Sequence, residues 1–351
     1  MDRIVIPTGY MGSGSSAITD LVSEFRDFKN EYKSYEYVML HCPNGLFDLE
    51  DKLLYGNNAI RSDEAIRTFE QQMKKLYDKK FWWVGNYKKI IGPAFMNIVN
   101  NYVDEITQIK YQGYWYTHEE VNASMFCKLI MRRPLKVIQP KRQFNPVLKY
   151  KDGMKISFIN PEEFYKYSKS FINRIIEEIA GEAKNIVLDQ FVLPFNLHRV
   201  DKYFDDNVKV IVVERDPRDV FLLNKYIWPK INFTVPMPHD AELFVKYYKA
   251  MRNSEKPSQS SKVLRINFED LVYNYEDTLG KVMKHLGVNS QMHIDKKKRF
   301  NPELSIKNTQ IFNSSPQYEE EIKIIENGLS EFLYKFPYKI NDNKVENTIE
   351  F

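Results

Sequence analysis

The chain has 351 residues, 43% of them hydrophobic and 28% charged, enough to bury a sizeable core and too apolar for wholesale disorder. Lysine and arginine (51) nearly balance aspartate and glutamate (47), and a net charge of +4 excludes a protein that coats nucleic acid. The two cysteines, Cys42 and Cys127, lie far apart with no CxxC pair and no histidine cluster, so neither a disulfide framework nor a metal site is expected, and a reducing compartment fits. No apolar run approaches the ~18 residues of a membrane span. The opening RIVIP leads into a strand without a signal-peptide pattern. Cytoplasmic residence is therefore expected, with peripheral membrane contact left open.

The first element is a buried-strand candidate, Ile4–Pro7. GYMGSGSS, residues 9–16, then turns through three glycines, and Ala17, Ile18, Leu21, Val22 and Phe25 share one helical face, with Ser15 or Ser16 suited to cap it. A second strand is expected at Glu36–His41, followed by a turn through Pro43, Asn44 and Gly45 into a helix. Residues 60–180 are rich in lysine and tyrosine and mostly helical in period; within them, 132–161 reads as a small hairpin around Lys151-Asp152-Gly153. Residues 161–185 form a strong amphipathic helix pattern, with Pro161 in its first turn and Gly181 near its end.

Continuous apolar runs return in NIVLDQ (185–190) and VKVIVVERDPRDVF (208–221), the pattern of parallel strands covered on both faces. KVLRINFEDLVYNYEDTLGKVMKHLGV (262–288) adds a strand, a turn and a helix. Strand–helix alternation at both ends predicts an α/β fold: a three-layer, P-loop-like core with a parallel sheet flanked by helices, plus a long mainly helical insertion. The expected organisation is one domain over 1–340, with its core at about 1–50 and 184–312, the insertion at about 51–183, and a polar tail at 341–351.

A glycine-rich turn feeding a helix aims several backbone N–H groups at one point, and the helix N-terminus adds positive potential. Gly12 and Gly14 allow close approach, and Ser13, Ser15 and Ser16 add hydroxyls, so the loop reads as an anion site; a plain strand-to-helix turn is the simpler alternative. A triphosphate loop of this spacing would carry lysine where Ser15 stands. Arg215 ends a strand and would sit at the same sheet edge, able to fork onto phosphate. Arg218 and Asp219 are read as a neighbouring ion pair.

The pair GYMGSGSSA and VIVVERDPRDV resembles the sulfotransferases that use 3′-phosphoadenosine 5′-phosphosulfate (PAPS), and VLRINFEDLVYNYEDTLGKVMKHLGV and FNPELSIKNTQIF resemble that family's later segments. The likeness covers the first 25 residues and most of 185–312, not the middle. It implies that Gly12, Ser13, Gly14, Ser15 and Ser16 cradle the 5′-phosphosulfate and that Arg215 grips the 3′-phosphate. Leu223 stands where the family often has serine, so Asn224 is the substitute donor. Phe268 falls where a tyrosine near adenine is common, and Lys307 and Asn308 would reach the 3′-phosphate or the bridging oxygens. Family members often carry a cation at the position of Gly12; here the charge would have to be stabilised by backbone amides, or by a cation such as Lys225 or Lys307 brought in from elsewhere.

An attacking hydroxyl must shed its proton. The candidate bases are Glu36, placed like the glutamate of glycan-modifying members, then Asp189, then His41. A surface glutamate, a helix-capping aspartate and a satisfied histidine are the competing readings. Tyr111, Tyr114, Trp115, Tyr116, Trp82 and Trp83 could stack on an acceptor, although core packing accounts for such clusters more often. The implied activity is transfer of a sulfuryl group from PAPS to a hydroxyl of a carbohydrate, on a surface polysaccharide or glycolipid. The alternatives are a small lipophilic alcohol as acceptor, or an NTP-dependent kinase with Asp189 on magnesium.

Overall fold

The structure is a computed structural model that describes residues 1–30, 35–81, 83–113, 123–140, 152–231 and 235–340. A five-stranded sheet organises it. Numbered in chain order within the sheet, the strands are β1 (Arg3–Gly9), β2 (Phe28–Lys29), β3 (Asn185–Val187), β4 (Val208–Glu214) and β5 (Val263–Asn267). They lie in the order β2-β3-β1-β4-β5, and every pairing is parallel. The fold is α/β, as expected.

Side chains alternate along β1 and its neighbours and so feed two cores. Ile4, Ile6, Ile186, Val210 and Val212 face a cluster shared with Phe69, Phe95, Tyr102 and Phe171. Those aromatics come from helices Ala59–Asp78, Phe95–Ile106 and Pro161–Ala180. Val5, Val187, Ile211, Val213 and Ile266 face a second cluster with Ile18, Leu21, Leu279 and Val282. The helical region between β2 and β3 therefore roofs one face of the sheet, and with the second core on the other face it accounts for the apolar centres of β1, β3 and β4. The amphipathic helix starts where expected: Asn160 accepts from the Glu163 N–H at 2.9 Å, Pro161 follows, and Gly181 ends the helix at φ 56°.

Two expectations are corrected. The strand beside β3 is Phe28–Lys29, not Glu36–His41. The N–H groups of that segment go elsewhere: Glu36 to the Trp83 carbonyl (3.1 Å), Tyr37 to the Asp189 carbonyl (3.0 Å), Val38 to the Tyr87 hydroxyl (3.1 Å), and His41 back to Val38 (3.2 Å). No row remains for a ladder. Nor do 132–161 form a hairpin on their own. Arg132 to Ile138 belong to helix Ala123–Ile138, and Asp152–Ile156 pairs antiparallel with Ile109–Gly113. Trp82, Tyr114, Trp115, Tyr116 and the tail at 341–351 lie outside the described residues.

Candidate active site

Strand order places a topological switch at β1, whose neighbours β3 and β4 follow it in the chain on opposite sides; ligands favour the crevice at the C-terminal ends of such strands. Pro7 helps to open it. The Leu188 N–H donates to the Val5 carbonyl (2.8 Å) and the Gln190 N–H to the Pro7 carbonyl (2.9 Å), but Pro7 has no N–H to return between them. The ladder therefore slackens where Asp189 leaves the sheet.

The glycine loop leaves the end of β1 and enters helix Ser16–Val22. Gly12 and Gly14 have φ of 81° and 88°, conformations that other residues rarely adopt. The room is also taken. A Cβ on Gly12 would lie 3.0 Å from Trp228 Cη2 and 3.3 Å from Val220 Cγ1, and one on Gly14 would lie 3.0 Å from Phe268 Cδ2. Ser13 closes the turn by donating its N–H to the Tyr10 carbonyl (2.9 Å), and its buried hydroxyl has no partner. Among the described residues, the N–H groups of Gly14, Ser15 and Ser16 meet no backbone carbonyl. The absent lysine at position 15 also has a counterpart: Ser15 Oγ accepts from Gln190 Nε2 at 3.0 Å.

Arg215, just past β4, reaches the same loop. Its guanidinium donates to the Gly12 carbonyl (3.2 Å) and to the Asn308 carbonyl, and its Nε has no acceptor. It lies 4.6 Å over the Phe268 ring and is 4% exposed. Burial pushes its pKa down, opposed by Asp219, Glu269 and Asp216. Each of those carboxyls is engaged elsewhere. Asp216 caps its helix and clasps Arg218, and Asp219 accepts the N–H groups of Gln310 (2.8 Å) and Ile311 (2.7 Å). Glu269 accepts the Asp216 N–H at 2.8 Å. Burial pushes Asp219 up to about 7 and Glu269 up to about 8.

The structure thus gathers Gly12 to Ser16, Arg215, Phe268 and Asn308. Asn224 sits on a π-helical turn, Leu223–Ile227, and points its amide nitrogen at the Met237 carbonyl (3.4 Å), with its Oδ1 buried and unpartnered. Lys307 is exposed on the short turn Ile306–Asn308. Lys225 is paired with Glu321.

On the other side of the loop the three base candidates meet. Asp189 Oδ2 accepts from Thr19 Oγ1 at 3.1 Å, while its Oδ1 is buried without a partner. Burial, then the charge of Glu36, pushes Asp189 up to about 8. Burial also raises Glu36, but Trp83 Nε1–H donates to its Oε2 at 3.0 Å and favours the ionised form. His41 donates Nε2–H to the Gln190 carbonyl at 2.8 Å, and burial pushes its pKa down to about 4, so the ring is neutral at pH 7. A carbonyl only accepts, which fixes the proton on Nε2.

Gln190 escaped the sequence reading. At φ 55° it accepts from Thr8 Oγ1 (2.9 Å), donates to Ser15 and receives His41, so one residue ties β1, β3, the loop and the 36–41 segment together. The polar end of NIVLDQ was its only signal. Trp228 was missed as well, and the expected Arg218–Asp219 pair is corrected: Arg218 pairs with Asp216 and Glu326, while Asp219 accepts the Gln310 and Ile311 N–H groups.

No family model and no curated protein matches the chain. Solved structures similar to it include the sulfotransferase domain from the curacin biosynthetic pathway, 14% identical over 95% of this chain and 98% of that one, with a TM-score of 0.40. The sulfotransferase domain from the Synechococcus PCC 7002 olefin synthase is 12% identical over 95% of each chain, TM-score 0.39. Sulfotransferase STF9 from Mycobacterium avium is 9% identical over 95% of this chain and 98% of that one, TM-score 0.31.

Proposed function

We propose that the chain is a sulfotransferase that transfers a sulfuryl group from PAPS to a hydroxyl, with a carbohydrate of a surface polysaccharide or glycolipid as acceptor. One observation carries the reading. Among the described residues, the buried guanidinium of Arg215 donates only to the Gly12 and Asn308 carbonyls, beside a loop whose N–H groups at 14–16 meet no backbone carbonyl. A buried cation without a bonded carboxylate calls for an anion. The residues fit the donor: Ser13 Oγ and Arg215 Nε are buried and unpartnered, and Gly12 and Gly14 leave no side chain in the way.

In this reading PAPS supplies the activated sulfuryl group. Gly12 to Ser16 bind its 5′ end through amides and hydroxyls. Arg215, with Asn308, Lys307 and Asn224, takes the 3′-phosphate, and Phe268 lies against the adenine. Asp189, raised to about 8, holds a proton at neutral pH, and Glu36, whose Oε2 accepts from Trp83 Nε1–H, is the base that accepts the proton of the attacking hydroxyl. His41 has its Nε2 committed to a carbonyl and ranks behind both. The kinase alternative is weakened by Ser15, whose hydroxyl is held by Gln190 where a lysine would neutralise a triphosphate. Calorimetry with adenosine 3′,5′-bisphosphate and with ATP–Mg tests the reading. Tight binding of the bisphosphate alone is expected, and preference for ATP–Mg overturns it.

A further inference from the structure

Helix Ala123–Ile138 has the sequence ASMFCKLIMRRPLKVI and contains no acidic residue. It sits in the excursion between the paired strands Ile109–Gly113 and Asp152–Ile156. An apolar stripe on a helix normally faces the core. Here it does not: Phe126, Ile130, Met131, Leu135, Val137 and Ile138 are all exposed, Val137 at 81% and Ile138 at 73%. The paired strands that lead to the excursion add exposed Ile109 and Tyr111.

The pattern is two-sided. At 3.6 residues per turn, Phe126, Ile130 and Val137 (i, i+4, i+11) form one stripe. Cys127, Met131, Leu135 and Ile138 (i, i+4, i+8, i+11) form the stripe beside it. The remaining sector holds Lys128, Arg132 and Lys136 (i, i+4, i+8) with Arg133, and Lys141 and Arg142 follow the helix. A wide apolar sector, beside a narrower one in which Met125 and Leu129 interrupt the basic residues but every charge is positive, is the composition of a helix that lies in a membrane interface. Its apolar side chains enter the acyl boundary while lysine and arginine meet anionic headgroups. A protein partner of ordinary composition would not demand that every charge on the helix be positive.

We infer that helix Ala123–Ile138 docks on the surface of an anionic lipid bilayer. Exposed apolar area supplies the insertion, and the matched positive charge selects anionic lipid. The inference does not depend on what reaction the loop and Arg215 support, since none of these residues belongs to that site. It would nonetheless hold the protein where lipid-linked acceptors lie.

Vesicle flotation of the full chain tests it, with vesicles of pure phosphatidylcholine and of equal parts phosphatidylglycerol and phosphatidylcholine. At low salt the partition coefficient should be at least about tenfold higher on the anionic vesicles, and it should fall as salt screens the charge. The double variant Ile130→Glu/Ile138→Glu, at exposed positions, should lose at least about tenfold of that binding while keeping the parent's melting temperature and its bisphosphate affinity. No binding of the parent chain to anionic vesicles overturns the inference, whatever the variant does. Vesicle binding indifferent to the double variant also overturns it. So does a concentration-dependent dimer that the same variant dissolves without any vesicle binding, since the face would then join two copies of the chain.

Discussion

Gln190 Nε2 donates to Ser15 Oγ across 3.0 Å, joining the residue that leaves β3 to the last residue before the helix of the glycine loop. Gln190 also accepts from Thr8 at 2.9 Å, so the loop is braced from the strand that precedes it and from the strand beside it. For Gln190→Ala we expect a melting temperature lowered by a stability loss of about 1–3 kcal/mol, from two hydrogen bonds worth ~0.5–1.5 each. Bisphosphate affinity should fall severalfold as the loop loosens. Calorimetry beside a thermal melt separates the two effects; unaltered affinity would show that the brace does not hold the binding geometry.

Arg215 is expected to act through its fork as much as its charge. Arg215→Ala should weaken bisphosphate binding at least about tenfold, since one charge-assisted bond is worth roughly 1.5–3 kcal/mol. Arg215→Lys should not rescue it, because one ammonium cannot keep both the Gly12 and Asn308 carbonyls while stacking on Phe268. Titration of both variants is the check, and parent-like affinity in the alanine variant would move the 3′-phosphate site elsewhere.

Position 12 is crowded and its backbone is strained for any side chain. A side chain there meets Trp228 Cη2 at 3.0 Å and Val220 Cγ1 at 3.3 Å from a backbone at φ 81°. Gly12→Lys should therefore lower stability by about 1–3 kcal/mol and give no gain in turnover. Adding Trp228→Ala should relieve part of that loss, which a urea titration of single and double variants reads directly. A faster Gly12→Lys enzyme would mean that the loop had been missing its cation after all.

The carboxyls set a pH dependence. Asp189 has its pKa raised in the fold from 3.8 to about 8, so the folded chain binds this proton more tightly than the unfolded one. Its contribution is fully present below the unfolded value and is lost as pH rises from about 4 through about 8. His41 has the opposite sign: its pKa falls from 6.5 to about 4, so its contribution is present above 6.5 and is lost as pH falls towards 4. Asp189→Asn should flatten the alkaline limb of a stability–pH curve while leaving the acid limb. Glu36→Gln should abolish sulfuryl transfer with bisphosphate binding retained; a fully active variant would assign the base to Asp189.

Local sequence was enough for the sheet strands β1, β3, β4 and β5, for the glycine loop, and for helix Pro161–Ala180, because each is written in consecutive residues. Apolar runs, positive-φ glycines and an Asn-Pro start are short-range signals. The second strand was misplaced for the same reason. Glu36–His41 has β-type residues, yet its N–H groups are taken by Trp83, Asp189 and Tyr87, whose positions depend on segments far along the chain.

Residue order along the chain was enough for an α/β fold with a glycine-rich loop after its first strand and an arginine after a later one. Tertiary structure alone decided how they meet. Parallel order brings the ends of β1, β3 and β4 to one edge, so Arg215 reaches Gly12 and Gln190 reaches Ser15. Trp228 crowds the space beside Gly12, and Gln190 braces Ser15. These are matters of distance between segments far apart in the chain, and no local pattern of residue types encodes them.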